Sequence, residues 1–193
     1  MPVADILSSL SLAAPGVTIE GNDAVDQASI VVPADALLET ARALRDTPDL
    51  NFHLLAEMTG VDWWPKEPRF EVVYHLACVG VPDFPRPGMS RVARRLRMKV
   101  RVPGDRPQLA SLIDLWPNAN WYEREVYDLF GIVFEGHPDL RRLLMPEEWD
   151  GHPARKDYPV QIKTPVTFGM PTQVTEEEFV RNIEAQRVRV TRS

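Results

Sequence analysis

Alternating and recurring apolar positions divide the chain into short elements. Ile6, Leu7, Leu10 and Ala14 recur at helical spacing before Pro15-Gly16, which predicts a first helix with its own stop. Residues 17–20 and 29–32 read as strands, and Pro33 opens a helix that places Leu37, Leu38, Ala41 and Leu44 on one face. A strand over 52–59 follows, so strand, helix and strand here have the layout of a crossover unit, with an antiparallel arrangement left open by spacing alone. Phe70, Val72, Tyr74, Leu76 and Cys78 then alternate with more polar residues, as on a half-buried strand. From 91 to 102 the alternation is sharper: Val92, Leu96, Met98, Val100 and Val102 oppose Arg91, Arg95, Arg97, Lys99 and Arg101, and only Arg94 breaks it. The proline-rich loop 81–88 joins these two strands into a long hairpin.

After Pro107, the residues Leu109, Leu112, Ile113 and Trp116 fall at i, i+3, i+4 and i+7, which predicts a core-facing helix. Asn120 has the chemistry to cap the next helix, 121–130, with Glu123 reaching back to the cap amide and Gly131 closing the last turn. Arg124 and Asp128, four residues apart, are placed to pair along that helix. These elements predict an α+β fold over 1–130, one mixed β-sheet packed with helices. A charged, proline-punctuated interaction ribbon follows over 131–159, then an extended proline-rich C-terminal arm over 160–193 whose final stretch has helical spacing on a thin apolar stripe.

Composition narrows the chemistry. No apolar run approaches the ~18 residues needed to span a bilayer, and the N-terminus lacks the basic region of a secretory signal, which makes the cytoplasm the expected compartment. The single cysteine, Cys78, excludes an internal disulfide and supplies one ligand where an iron-sulfur cluster takes four; its place on the apolar strand face reads as a buried thiol. The formal net charge is −6, yet residues 86–106 hold eight bases against one acid. A basic strand of this kind can neutralise phosphates, but it has none of the interleaved aromatics on which single-stranded nucleic acid stacks, so a solvated or partner-facing strand is the preferred reading.

The densest chemistry lies between Trp121 and Pro159. His137 and His152 are fifteen residues apart across proline-started turns, which matches no compact metal spacing. Glu123, Glu125 and Asp128 have an intervening Arg124 that holds such acids ionised and argues against acid-base catalysis. No glycine-rich phosphate loop or nucleophile signature is present. What remains is a polar surface that presents charge in fixed directions to a partner.

The run EREVYDLFGIVFEGHPDLRRLLMPEEWDGHPARKDYP, 123–159, resembles the signature of the C-type, 30 kDa subunit family of respiratory complex I, the proton-pumping NADH:quinone oxidoreductase. The match covers about a fifth of the chain, and Ala154 stands where the family often has a larger aliphatic residue. The resemblance implies a subunit of the peripheral arm, on the cytoplasmic side of the cell membrane and attached to it only through the complex. It implies no catalytic, metal or cofactor site in this chain; FMN, iron-sulfur clusters, NADH and quinone belong to partner subunits. The expected partners are the subunit forming the quinone cavity and the cluster-bearing subunits, and nucleic acid is not among them. The expected interface residues are Glu123, Arg124, Asp128, His137, Asp139, Arg141, Arg142, His152, Arg155, Lys156 and Asp157, with Arg141 and Arg142 acting as a partner-facing pair whose joint replacement leaves the domain folded. The equivalent subunit of a membrane-bound hydrogenase-type complex is the alternative.

Overall fold

The computed structural model describes residues 2–23, 27–79 and 93–159. The loop 81–88, the strand start at Arg91 and Val92, and the arm from 160 onward lie outside the described residues. Helix α1 (Val3–Ala13) leads into strands β1 (Glu20–Asp23) and β2 (Ala28–Val32); a short 3-10 turn, Ala34–Ala36, then runs into α2 (Leu37–Asp46). Strands β3 (Leu54–Asp62), β4 (Phe70–Cys78) and β5 (Arg94–Val102) follow, then β6 (Gln108–Ala110), α3 (Ala119–Phe130) and β7 (Val133–Glu135).

Five strands form one mixed sheet in the order β1-β2-β5-β4-β3. β4 pairs antiparallel with both β3 and β5, whereas β5 runs parallel to β2. β2 and β3 therefore point the same way, as the crossover layout predicts, but the hairpin strands β4 and β5 lie between them. The apolar face of the sheet, with Ile30, Val72, Tyr74, Leu96, Met98 and Val100, shares a single core with Ile6 and Leu10 of α1, Leu37 and Leu44 of α2, and Val126 of α3. At Gly60 a Cβ would lie 2.7 Å from the Phe130 ring, so the bare glycine lets α3 approach β3.

Arg94, the residue that breaks the β5 alternation, turns its guanidinium to the carbonyls of Asp49 and Leu50 and lies over the Phe52 ring. It fastens the entry to β3 instead of joining the basic row. In that row, Lys99 and Arg101 sit 3.5 and 3.7 Å from the buried carboxylate of Glu71.

Three local expectations are corrected. The helix expected after Pro107 is absent: 108–110 form β6, paired parallel with β7, and turns carry the chain to Ala119. Leu109, Leu112 and Trp116 are buried all the same, so burial was legible and backbone type was not. Pro117 disfavours helix at the residue before it, and the backbone N–H of Leu112 donates to a carboxylate. The first sheet strand lies at 20–23, with Val17 and Ile19 packing ahead of it. The cap of α3 also differs: Asn118 precedes the helix and its side-chain amide donates to the Leu55 carbonyl, while Glu123 points into the core.

Candidate functional site: the ribbon and its anchors on helix α3

Helix α3 buries three charged side chains, Glu123, Arg124 and Asp128, on faces that a surface helix normally fills with apolar residues. Each is satisfied by chain outside the helix. Asp128 Oδ2 accepts the successive backbone N–H groups of Leu143, Leu144 and Met145 at 3.0, 2.7 and 2.8 Å, and its Oδ1 accepts Arg142 Nη1 at 2.7 Å. Three consecutive amides converging on one oxygen form an anion nest whose anion is the protein's own carboxylate. Burial pushes this carboxyl up, but the Met145 amide, the Arg142 guanidinium and the other two amides outweigh it and hold it below the ordinary range.

Arg124 does not pair with Asp128. Its Nε and Nη2 donate to the carbonyls of Arg141 and Arg142 at 3.1 and 3.0 Å, and the Trp121 ring lies 5.2 Å from the guanidinium carbon. Glu123 has no cation partner among the described residues: Oε1 accepts the Leu112 N–H at 2.7 Å and Oε2 the Ser111 hydroxyl at 2.6 Å. Burial raises its pKa from 4.5 to about 7, although both hydrogen bonds act the other way. The same helix thus carries one carboxyl held ionised and one poised to hold a proton.

The C-terminal carbonyls of α3 have no partners within the helix, as at any helix end. Here the ribbon supplies them. His152 Nδ1 donates to the Asp128 carbonyl at 2.9 Å, the Ala154 N–H to Leu129 at 3.0 Å, and Arg155 Nε to Phe130 at 2.6 Å. A carbonyl can only accept, so His152 carries its proton on Nδ1; burial holds the ring's pKa below the ordinary histidine value. Gly131 makes this closure possible. Its φ of +74° suits glycine, and a Cβ would lie 2.5 Å from the His152 ring and 2.6 Å from Arg155. Arg142 completes the fastening, with Nη2 donating to the carbonyls of Trp149 and Gly151.

A second anchor joins the ribbon's far end to the sheet. The buried Arg69 guanidinium makes bidentate contacts with Asp62, at 3.1 and 2.9 Å, and with Asp157, at 2.9 and 2.6 Å. Asp62 also accepts the N–H groups of Trp64 and Lys156. Burial would raise its pKa, but Arg69 and these amides lower it to about 2. The ring of Trp64 flanks Arg69 at 4.8 Å, and Phe70 lies under both Arg69 and Arg155.

Of the sequence-selected residues, Glu123, Arg124, Asp128, Arg142, His152, Arg155 and Asp157 are thus engaged within the chain, and Lys156 contributes its backbone. His137 Nε2 donates to the Asn120 carbonyl while its Nδ1 accepts the Asp139 N–H, which pins that turn to the start of α3. Arg141 and Asp139 form an exposed pair at 2.9 Å. Arg141 and Arg142 are therefore not equivalent: one is 66% exposed and the other 18%. Sequence reasoning missed Asp62, Arg69 and Ser111, whose roles come from contacts across the fold; the run DWWPKEPR, unusually aromatic and charged between two strands, was the available signal.

The described residues contain no group of three or more His, Cys, Asp or Glu side chains able to hold a metal, and no helix among them is long and apolar enough to cross a membrane. The bonded geometry defines a class: an α+β domain whose charged segment is a structural ribbon, fastened by its own carboxylates and guanidinium groups. Comparison with known proteins identifies the family. A model of the respiratory-chain NADH dehydrogenase 30 kDa subunit matches residues 30–164, and the chain belongs to that family. It is 44% identical to the C-type subunit of the NADH-quinone oxidoreductase of Roseiflexus castenholzii over 80% of this chain and 83% of that one. With the corresponding subunit of Moorella thermoacetica it shares 43% over 75% and 88% of the two chains. Among solved structures, a trypsin-resistant fragment of Nqo5 aligns with a TM-score of 0.55 at 36% identity, covering 72% of this chain and 98% of the fragment. A chain of the membrane-bound sulfane sulfur reductase, an archaeal respiratory membrane complex, aligns with a TM-score of 0.63 at 29% identity, over 81% and 85%. The resemblance read from 123–159 is borne out by the family match.

Proposed function

We propose that this chain is a scaffold subunit of the peripheral arm of a proton-translocating NADH:quinone oxidoreductase, on the cytoplasmic side of the cell membrane. It carries no flavin, cluster, NADH or quinone of its own. Its partners are the quinone-cavity subunit and the cluster-bearing subunits, which carry out electron transfer. The observation that carries this reading is the Asp128 nest: this fully buried carboxylate, the most densely bonded of the signature segment among the described residues, is spent on holding residues 142–145 in place, not left open to a substrate. Arg124 and the Asp62–Arg69 pair, also buried, likewise fasten backbone or ribbon. The ribbon's outward side chains are then oriented for neighbours.

Removal of the chain from its own cell tests this. Membranes lacking it should lose NADH:quinone activity, and wild-type chain supplied in trans should restore it, while purified chain shows no flavin absorbance and no NADH oxidation. Retained activity in the deletion strain contradicts the proposal. A second reading, the equivalent subunit of a related respiratory membrane complex, is favoured by the alignment with the sulfane sulfur reductase chain. The electron-input subunit that co-purifies distinguishes the two.

A further inference from the structure

The anchors use two of the ribbon's four cations, Arg142 and Arg155, and leave a particular surface behind. Trp121, Arg124 and Asp128 stand at i, i+3 and i+7, on the one face of α3 along which residues 141–145 are bound. On that face Trp121 is 55% exposed and Leu144 is 60% exposed, large apolar side chains held outward by a rigid backbone. Trp121 is stacked on Arg124 and the Leu144 backbone is fixed through its N–H to Asp128, so the ring and the main chain that carries the leucine are in place before anything binds. Beyond Leu144 the turn carries Glu147, Glu148 and Asp150, whose carboxylates have no cation partner among the described residues. Of the ribbon's bases, Arg142 and Arg155 are turned inward, Arg141 is paired with Asp139, and Lys156 belongs to the other anchor, where its backbone is held by Asp62. A stacked tryptophan and an outward leucine beside acids without a cation partner among the described residues match the make-up of an interface core with a charged rim.

We infer that the Trp121–Leu144 face seats a segment of another subunit of the assembly that is basic and presents apolar side chains. The inference rests on the reading of the chain as an assembly subunit. Charge complementarity selects the occupant: a second copy related by a two-fold axis would set this acidic rim against itself, which like charges oppose, whereas a lysine- or arginine-rich segment is drawn to it.

A photo-crosslinking residue placed at Trp121, and separately at Leu144, in tagged full-length chain within its own cell gives the direct test. The expected product, isolated from gently solubilised membranes, joins the chain to another subunit at a peptide with more Lys and Arg than Asp and Glu. A product with a second copy or with an acidic peptide overturns the inference, as does no product from chain that still brings down other subunits; chain that brings down none overturns the underlying reading as well. Two exposed-site double variants, Trp121→Ser with Leu144→Ser and Glu147→Lys with Glu148→Lys, should each lower incorporation into the complex about tenfold or more. Their melting temperatures should stay within ~2 °C of wild type, since both alter exposed side chains. Incorporation equal to wild type in both overturns the inference.

Discussion

Asp128 and Glu123 lie five residues apart on one helix, both fully buried, and meet the cost of burial in opposite ways. Asp128 is ionised and neutralised by Arg142, so removing the guanidinium leaves a buried charge with amides alone. Arg142→Ala should therefore destabilise the domain by about 3–5 kcal/mol in urea unfolding, whereas Arg141→Ala, at an exposed pair, should change stability by less than ~0.5 kcal/mol. Equal effects would contradict the assignment of Arg142 to the interior. This also revises the expectation that both arginines can be replaced without unfolding. Glu123 gives a pH signature of a definite sign. Its folded-state pKa is raised, from 4.5 to about 7, so its contribution is fully present below pH 4.5 and is lost as pH rises through 7. That amounts to ~3 kcal/mol at most. Asp62 acts oppositely, its contribution present above 3.8 and lost as pH falls through about 2. A Glu123→Gln variant keeps an acceptor for Leu112 and a donor for Ser111. The lowered pKa of His152 adds stability as pH rises through the ordinary histidine range, so between pH 5 and 8 urea midpoints of the variant should rise, and those of the wild type should fall relative to them; parallel slopes would contradict the neutral-carboxyl account.

At the scale of elements, the ribbon is held by two devices, the sealed end of α3 and the Asp62–Arg69–Asp157 clamp. The clamp governs the ribbon's last turn. Arg69→Met should release Asp157 and speed tryptic cleavage after Arg155 or Lys156 about tenfold, with the α3 anchors intact; unchanged cleavage would show that the α3 contacts alone hold that end. The same contacts explain what the sequence could and could not reveal. Strands β4 and β5 were legible because one face is buried and side chains alternate with period two. The end of α3 was legible because Gly131 follows the last periodic residue. The partners of the charged residues were not. Arg124 and Asp128 are at helical pairing distance, yet carbonyls, amides and a guanidinium 14–18 residues away offered each a better-bonded site. Asp62 and Arg69 meet Asp157 only after the sheet and ribbon have formed, at a separation of 88 residues between Arg69 and Asp157. Residues 108–116 carry a helical apolar pattern, but pairing of β6 with β7 and the Glu123 carboxylate took their backbone groups instead.

For the whole molecule, the family match and the internally bonded ribbon converge on a chain whose contribution is shape and attachment. The residues that invite an enzymatic reading, Glu123, Asp128, His137 and His152, are each tied by hydrogen bonds within the protein, His152 through Nδ1. Under the proposed function its electron carriers are those of its neighbours, and the tryptophan-bearing face with its acidic rim is the proposed means of joining them. The most direct measurement is to isolate tagged full-length chain from gently solubilised native membranes and identify what accompanies it. The account predicts co-purification in stoichiometric amounts with flavin- and iron-sulfur-bearing subunits of an NADH:quinone oxidoreductase; recovery of the chain alone, or with proteins that carry neither flavin nor clusters, would contradict it.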